Sequence, residues 1–160
     1  MEKNQTVANT SDREIRATRI LNAPRELVFE VWTDPAHIVK WWGPNGFTNT
    51  IHKMDVRPGG TWDFIMHGPD GTDYPNLIKY VEVVKPERLV FDHGSGQEND
   101  PAQFHVTVTF EDLGDERTKL TMVMLFKTAA DRDFVVTEYG ALDGNKQTMD
   151  KLEAYLATLD

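Results

Sequence analysis

The run from Asp131 to Leu159 restricts this chain more than any other stretch. Its apolar residues fall at Val135, Tyr139, Leu142, Met149, Leu152, Leu156 and Leu159, in steps of three, four and seven. That spacing predicts one face of an α-helix. Thr128 is placed to cap it, with Asp131 three residues on, and no proline interrupts the run. At 1.5 Å per residue an unbroken helix would be roughly 40 Å long, enough to cross a small domain. Gly140 and Gly144 interrupt this pattern, each costing about 1 kcal/mol against alanine in a helix interior. On a continuous helical wheel, Glu138 and Asn145 enter the same arc as Leu152 and Leu156, so the first half of the helix is expected to face something other than core. Lys151 falls on the solvent side.

A helix of that kind needs a broad apolar partner, and the preceding sequence supplies one. Glu14–Leu21 alternates as a first strand. Two short helices follow, one opened by Pro24 and stopped at Asp34-Pro35, the second running through Ile38 and Trp41. Six further alternating stretches then run to Phe126. Among them Trp62, Phe64 and Met66 share a face, as do Phe104, Val106 and Val108. The turns between them, such as Pro58-Gly59-Gly60 and Pro69-Asp70-Gly71-Thr72, are short, which favours antiparallel pairing. The stretch 94–102 is predicted as a polar loop. The expected architecture is α+β: a curved antiparallel sheet of about seven strands around a long C-terminal helix, with two short helices between the first two strands. Residues 1–12 are expected to be a disordered tail, and residues 13–160 a single domain.

Composition narrows the function. The chain has 160 residues, no cysteine and a formal net charge of −9. Disulfides and thiolate chemistry are excluded, and nucleic acid and anionic membrane are poor partners. No run approaches the ~20 apolar residues of a membrane span. With no signal-peptide core near Met1, the expected location is the cytoplasm.

The five histidines, His37, His52, His67, His93 and His105, lack paired ligand spacings, so no metal site is expected. Neither serine, Ser11 nor Ser95, sits in a nucleophile elbow, and the glycines form no phosphate loop or dinucleotide fingerprint. No cofactor and no catalytic residue is assigned. Most carboxylates fall in turns; Glu138 stands apart through its helical phase. His93 is in phase with Leu89 and Phe91 and is expected to point inward. The density of rings on inward faces suits an apolar cavity with a few polar groups.

Several motifs then fall in a familiar order: Pro24-Arg25-Glu26-Leu27-Val28-Phe29, Trp32-Thr33-Asp34-Pro35, Trp41-Trp42-Gly43-Pro44, Asp55-Val56-Arg57-Pro58-Gly59-Gly60-Thr61-Trp62, Pro86-Glu87-Arg88-Leu89, and the ending Tyr139-Gly140-Ala141 through Leu152. The sequence resembles the bacterial homologues of the activator of heat-shock-protein-90 ATPase, within the START-like (SRPBCC) superfamily that also holds polyketide cyclases and lipid-transfer domains. The resemblance spans Arg13 to Leu159. It implies the helix-grip fold and a deep cavity between sheet and long helix. Asn145 departs from it, standing where relatives often carry an apolar residue.

The leading expectation is a protein that binds a mostly apolar small molecule and is not an enzyme. Its cavity would be lined by Trp62, Phe64, Met66, Phe104, Phe126, Tyr139 and Leu142. Glu138, Asn145 and His93 would be its polar groups, and Trp41 and Trp42 would lie at its mouth. Two alternatives stay open: an interaction protein acting on a chaperone, and a cyclase- or dehydratase-type enzyme using Glu138 or His93 in the same pocket. A homodimer is also left open.

Overall fold

Strict alternation of apolar and polar residues decides the sheet. The computed structural model describes residues 5–7, 12–95 and 103–159. The elements are β1 (Gln5–Val7), β2 (Glu14–Leu21), α1 (Arg25–Thr33), α2 (Pro35–Ile38), β3 (Thr48–Met54), β4 (Thr61–His67), β5 (Asp73–Val84), β6 (Arg88–Gly94), β7 (Phe104–Gly114), β8 (Arg117–Phe126), α3 (Ala129–Tyr139) and α4 (Ala141–Ala157). The strands form one sheet in the order β1-β2-β8-β7-β6-β5-β4-β3, antiparallel throughout. On β8 every second side chain is buried, from Thr118 through Leu120, Met122 and Met124 to Phe126. A strand with that period has one face that must be covered.

The covering layer has two parts. α1 buries Val28, Phe29, Val31 and Trp32 and lies against β7 and β8. Asp34 ends it and caps α2, accepting a bond from the Ala36 amide at 2.9 Å. α4 buries Thr148, Met149, Leu152 and Leu156 and lies against β1 and β2. Arg19 on β2 fixes that docking: it is buried, and its Nη1 donates to Asp150 at 2.7 Å and Glu153 at 3.2 Å.

The seven expected strands are β2 to β8, and the helix-grip arrangement is as anticipated. Three details differ. The first is the long helix. It is two helices, broken at Gly140, which adopts the left-handed conformation with φ 59° and ψ 43°. Gly140 ends α3 with its N–H on Val135 O and opens α4 with its own carbonyl bonded by the Gly144 amide at 2.9 Å. A side chain at a left-handed residue costs roughly 1–2 kcal/mol, which is why glycine stands there. The expected cap is present: Thr128 accepts from the Asp131 amide at 3.0 Å.

The second difference is in the tail. Gln5–Val7 is not disordered but pairs with Arg16–Thr18 as an edge strand. Thr6 Oγ1 donates to Asn145 Oδ1 at 2.9 Å, so the tail is hydrogen-bonded to α4 as well as to the sheet. Residues 1–4 and 8–11 of the expected tail, and 96–102 of the expected loop, lie outside the described residues. The third is Lys151, which is half-buried. It donates to the carbonyls of Gly43 at 3.1 Å and Pro44 at 3.4 Å, tying α4 to the turn after α2.

Candidate functional site

Four tryptophans fill one end of the interior. Trp32 meets Trp41 at 4.9 Å and Trp42 at 5.7 Å, Trp42 meets Trp62 at 5.0 Å, and Trp62 stacks on Phe64 at 4.0 Å. Edge-to-face contacts of this kind contribute about 0.5–1.5 kcal/mol each beyond their buried area. Trp41 Nε1 donates to Val31 O at 3.1 Å. Trp41, Trp42, Trp62 and Phe64 are all buried, so these four expected lining residues are core instead. The physical reason is that Trp42 packs its ring onto Trp62 and Phe64, and Trp32 of α1 and Trp41 pack against Trp42 in turn.

Beyond this cluster the cover stops. α3 and α4 lie on the β1-β2-β8 side of the sheet. Between the helix break and the ends of β4, β5 and β6 there is an open cleft of about 700 Å³. Phe47, Met66, Tyr74 and Phe104 stand on its sheet side, and Val135 and Tyr139 on its helix side. The ring pairs are close: Phe47 to Tyr74 is 6.0 Å, and Phe104 stacks on Phe126 at 4.9 Å. Pro44 closes one end, packed so tightly on α4 that a Cβ at Gly144 would lie 3.3 Å from Pro44 Cγ. The Asn45 amide donates to Gln147 Oε1 at 3.0 Å and holds the same corner.

The cleft's polar groups are ordered by a short chain of bonds. Asn76 Nδ2 donates to Tyr74 O at 2.8 Å, which turns its Oδ1 toward His93. His93 Nε2 lies 2.7 Å from that oxygen and therefore carries the proton. The imidazole also packs 4.9 Å from the Phe104 ring. His93 thus points inward as its phase predicts, held as a donor by its neighbour.

Of the twelve residues expected to form the site, Met66, His93, Phe104 and Tyr139 line this cleft. Phe126 is buried behind Phe104, and Leu142 is half-buried against the core. Glu138 is exposed, outside the cleft wall. Asn145 faces β1 and β8, bonded by Thr6 and itself donating to Met122 Sδ at 3.7 Å. The break at Gly140 accounts for Glu138: the wheel that placed it in the arc of Leu152 and Leu156 assumed a continuous helix, and the left-handed residue at 140 resets the phase of α3 against α4. Asn145 keeps its phase with Leu152 and Leu156 within α4 and faces the sheet, but at β1 and β8, away from the cleft.

Sequence reasoning missed Phe47, Tyr74, Asn76, Asp143 and Gln147. The signal for two of these was available: Tyr74 and Asn76 are in phase with the buried Ile78 and Tyr80 on β5. Nothing in the local pattern marks Phe47, Asp143 or Gln147.

Two other polar groupings lie outside the cleft. Thr50 Oγ1 meets His67 Nε2 at 2.7 Å, and His67 Nδ1 meets Asp73 Oδ1 at 2.7 Å. The order of groups suits nucleophile activation, but Thr50, His67 and Asp73 sit on the opposite face of the sheet from Trp62 and Phe64, as a cross-strand ladder. Glu30, Asp34 and His37 bring ligand atoms within 4.8 Å of one another. Asp34 there already caps α2, and His37 Nδ1 lies 2.7 Å from the Tyr155 hydroxyl.

An antiparallel sheet gripping a C-terminal helix, with an aromatic-walled cleft beside that helix, defines the helix-grip class. Within that class the chain belongs to the family described as activator of Hsp90 ATPase homolog 1-like protein, whose model matches residues 22–157. Solved structures agree in fold. A protein from Arthrobacter aurescens is 24% identical with a TM-score of 0.85, covering 96% of this chain and 91% of its own. One from Mycobacterium smegmatis is 23% identical with a TM-score of 0.85, covering 96% of each chain. One from Chromobacterium violaceum is 25% identical with a TM-score of 0.74, covering 88% of this chain and 95% of its own. No curated protein matches the sequence. Among the described residues, no helix is long and apolar enough to cross a membrane.

Proposed function

We propose that this protein binds a mostly apolar small molecule in the cleft between the sheet and the α3–α4 break. The observation that carries this reading is the wall itself. Six apolar side chains from β4, β5, β7, α3 and the turn after α2 surround an opening of about 700 Å³, with His93 and Asn76 as oriented polar groups. A space of that size, apolar with few directed donors, is what drug-sized ligands occupy. On this reading residues 13–160 act as one domain and the protein works as a cytoplasmic binder.

The test is a titration with N-phenyl-1-naphthylamine, a neutral apolar probe whose emission rises out of water. Binding should be saturable at one site and weaken severalfold in Val135→Ser and Tyr139→Ser, two helix-side residues outside the fully buried core, with thermal unfolding confirming that both variants are folded. A probe that does not bind, or that binds the variants equally well, would refute the proposal. Native mass spectrometry of freshly purified protein should also show a bound small molecule lost on denaturation.

A second reading comes from the family's description, ATPase activation of a chaperone. Phe134 and Tyr139 on α3 favour it, being 53% and 68% exposed and in edge contact at 5.6 Å. Large exposed rings of this kind recur in interaction surfaces. A rise in the ATPase rate of the cognate heat-shock-protein-90, lost in Phe134→Ser, would establish it.

A further inference from the structure

Charge narrows the class of ligand. We propose that the cleft selects amphipathic amines: compounds with a flat apolar body carrying a protonated amino group. The inference rests on the binding reading above and adds to it the sign of the ligand's charge.

Among the described residues Asp143 is the one carboxylate on the cleft wall, and no lysine or arginine lines it. Among the described residues the Asp143 carboxylate has no hydrogen bond or ion pair. Lys151, further along α4, is committed to the carbonyls of Gly43 and Pro44. Lys146, on the next turn of α4, is exposed and outside the wall. The chain as a whole carries a net charge of −9, which raises the local concentration of cations over anions.

The walls reinforce the preference. Tyr139, Phe47 and Tyr74 line the same opening as Asp143. A bound ammonium there has both a carboxylate and aromatic faces, which attract cations, available to it. The amide groups at the start of α4 act the other way, since a helix N-terminus favours anions. Asp143 sits in that first turn and already supplies the negative charge, so a second anion there meets a like charge.

The experiment uses three compounds that share one naphthalene body: 2-(1-naphthyl)ethylamine, 2-(1-naphthyl)ethanol and 1-naphthylacetate. Affinities are measured by calorimetry at about pH 8, above the usual imidazole range. The amine should bind about fivefold tighter than the alcohol, and the carboxylate weaker than both, as expected for one exposed carboxylate with aromatic support. In Asp143→Asn the ratio of amine to alcohol affinity should fall to about one. An alcohol that binds with no advantage for the amine, or an advantage that survives in Asp143→Asn, would overturn the charge selection and leave the cleft reading standing. Failure of all three compounds to bind a folded protein would overturn both.

Discussion

Replacing Gly140 by alanine tests whether the break between α3 and α4 is imposed by packing or is merely permitted by glycine. The two cases give opposite signs. If α3 is held in place, residue 140 must keep φ near 59°, and a Cβ there costs about 1–2 kcal/mol. Nothing lies within 4 Å of that Cβ, so the cost is backbone strain and not collision. If the helices are free to align, alanine straightens them and gains about 1 kcal/mol of helix propensity. The structure favours the first case. α3 lies against β2 and β8, and Arg132 Nη1 donates to Glu14 O at 3.2 Å. In a chain of this size 1 kcal/mol moves the melting temperature by roughly 2–4 °C, so Gly140→Ala should melt roughly 2–8 °C lower. Gly140→Asn should fall between, because asparagine tolerates the left-handed region better than alanine. Thermal unfolding followed by circular dichroism gives the answer. A melting temperature of Gly140→Ala equal to or above that of the parent would refute the reasoning.

Other substitutions probe the remaining contacts. Leu152 is fully buried, so Leu152→Asp should cost more than about 4 kcal/mol in chemical denaturation, a large effect for one residue. Lys151→Ala should not be neutral, contrary to its expected place on the surface: it removes bonds to two carbonyls and should cost about 1 kcal/mol. Asn145→Ala removes the bond from Thr6, and amide exchange across Gln5–Val7 should accelerate with little change in melting temperature. Burial pushes the Tyr80 hydroxyl above its ordinary 10.0. Its contribution to stability is therefore complete below pH 10.0 and is lost as pH rises beyond it, while the desolvated Lys151, with its pKa lowered, acts in the opposite sense. Tyr80→Phe keeps Lys151 and should lose less stability than the parent in denaturation curves above pH 10.0.

The sheet was legible because period-two alternation on strands such as β8 leaves one reading of which face is buried. The two short helices were legible through Pro24 and Asp34-Pro35, which fix where a chain can start and stop turning. The helix break was half legible. Gly140 and Gly144 were visible as costs, but only geometry separates a glycine that reverses φ from one that admits Pro44. That distinction decides the site, since the phase of everything between Val135 and Gln147 depends on it. The tryptophans were read correctly as inward and incorrectly as lining, because periodicity reports a face and not what packs upon it. The first strand was illegible for a different reason: three residues carry no period, and Gln5–Val7 is ordered by partners far along the chain.

The tryptophan cluster also governs what light can report. All four indoles of the chain lie in a continuous series of contacts, with Trp42 at its centre. At separations of 4.9 to 5.7 Å excitation passes among them faster than it is emitted, so the protein fluoresces as one antenna, not four reporters. Trp42 is also 6.3 Å from His93, which makes that imidazole the bridge between the antenna and whatever occupies the cleft. A change in emission on adding a ligand will therefore read the state of His93 and its surroundings, whichever tryptophan absorbed the photon.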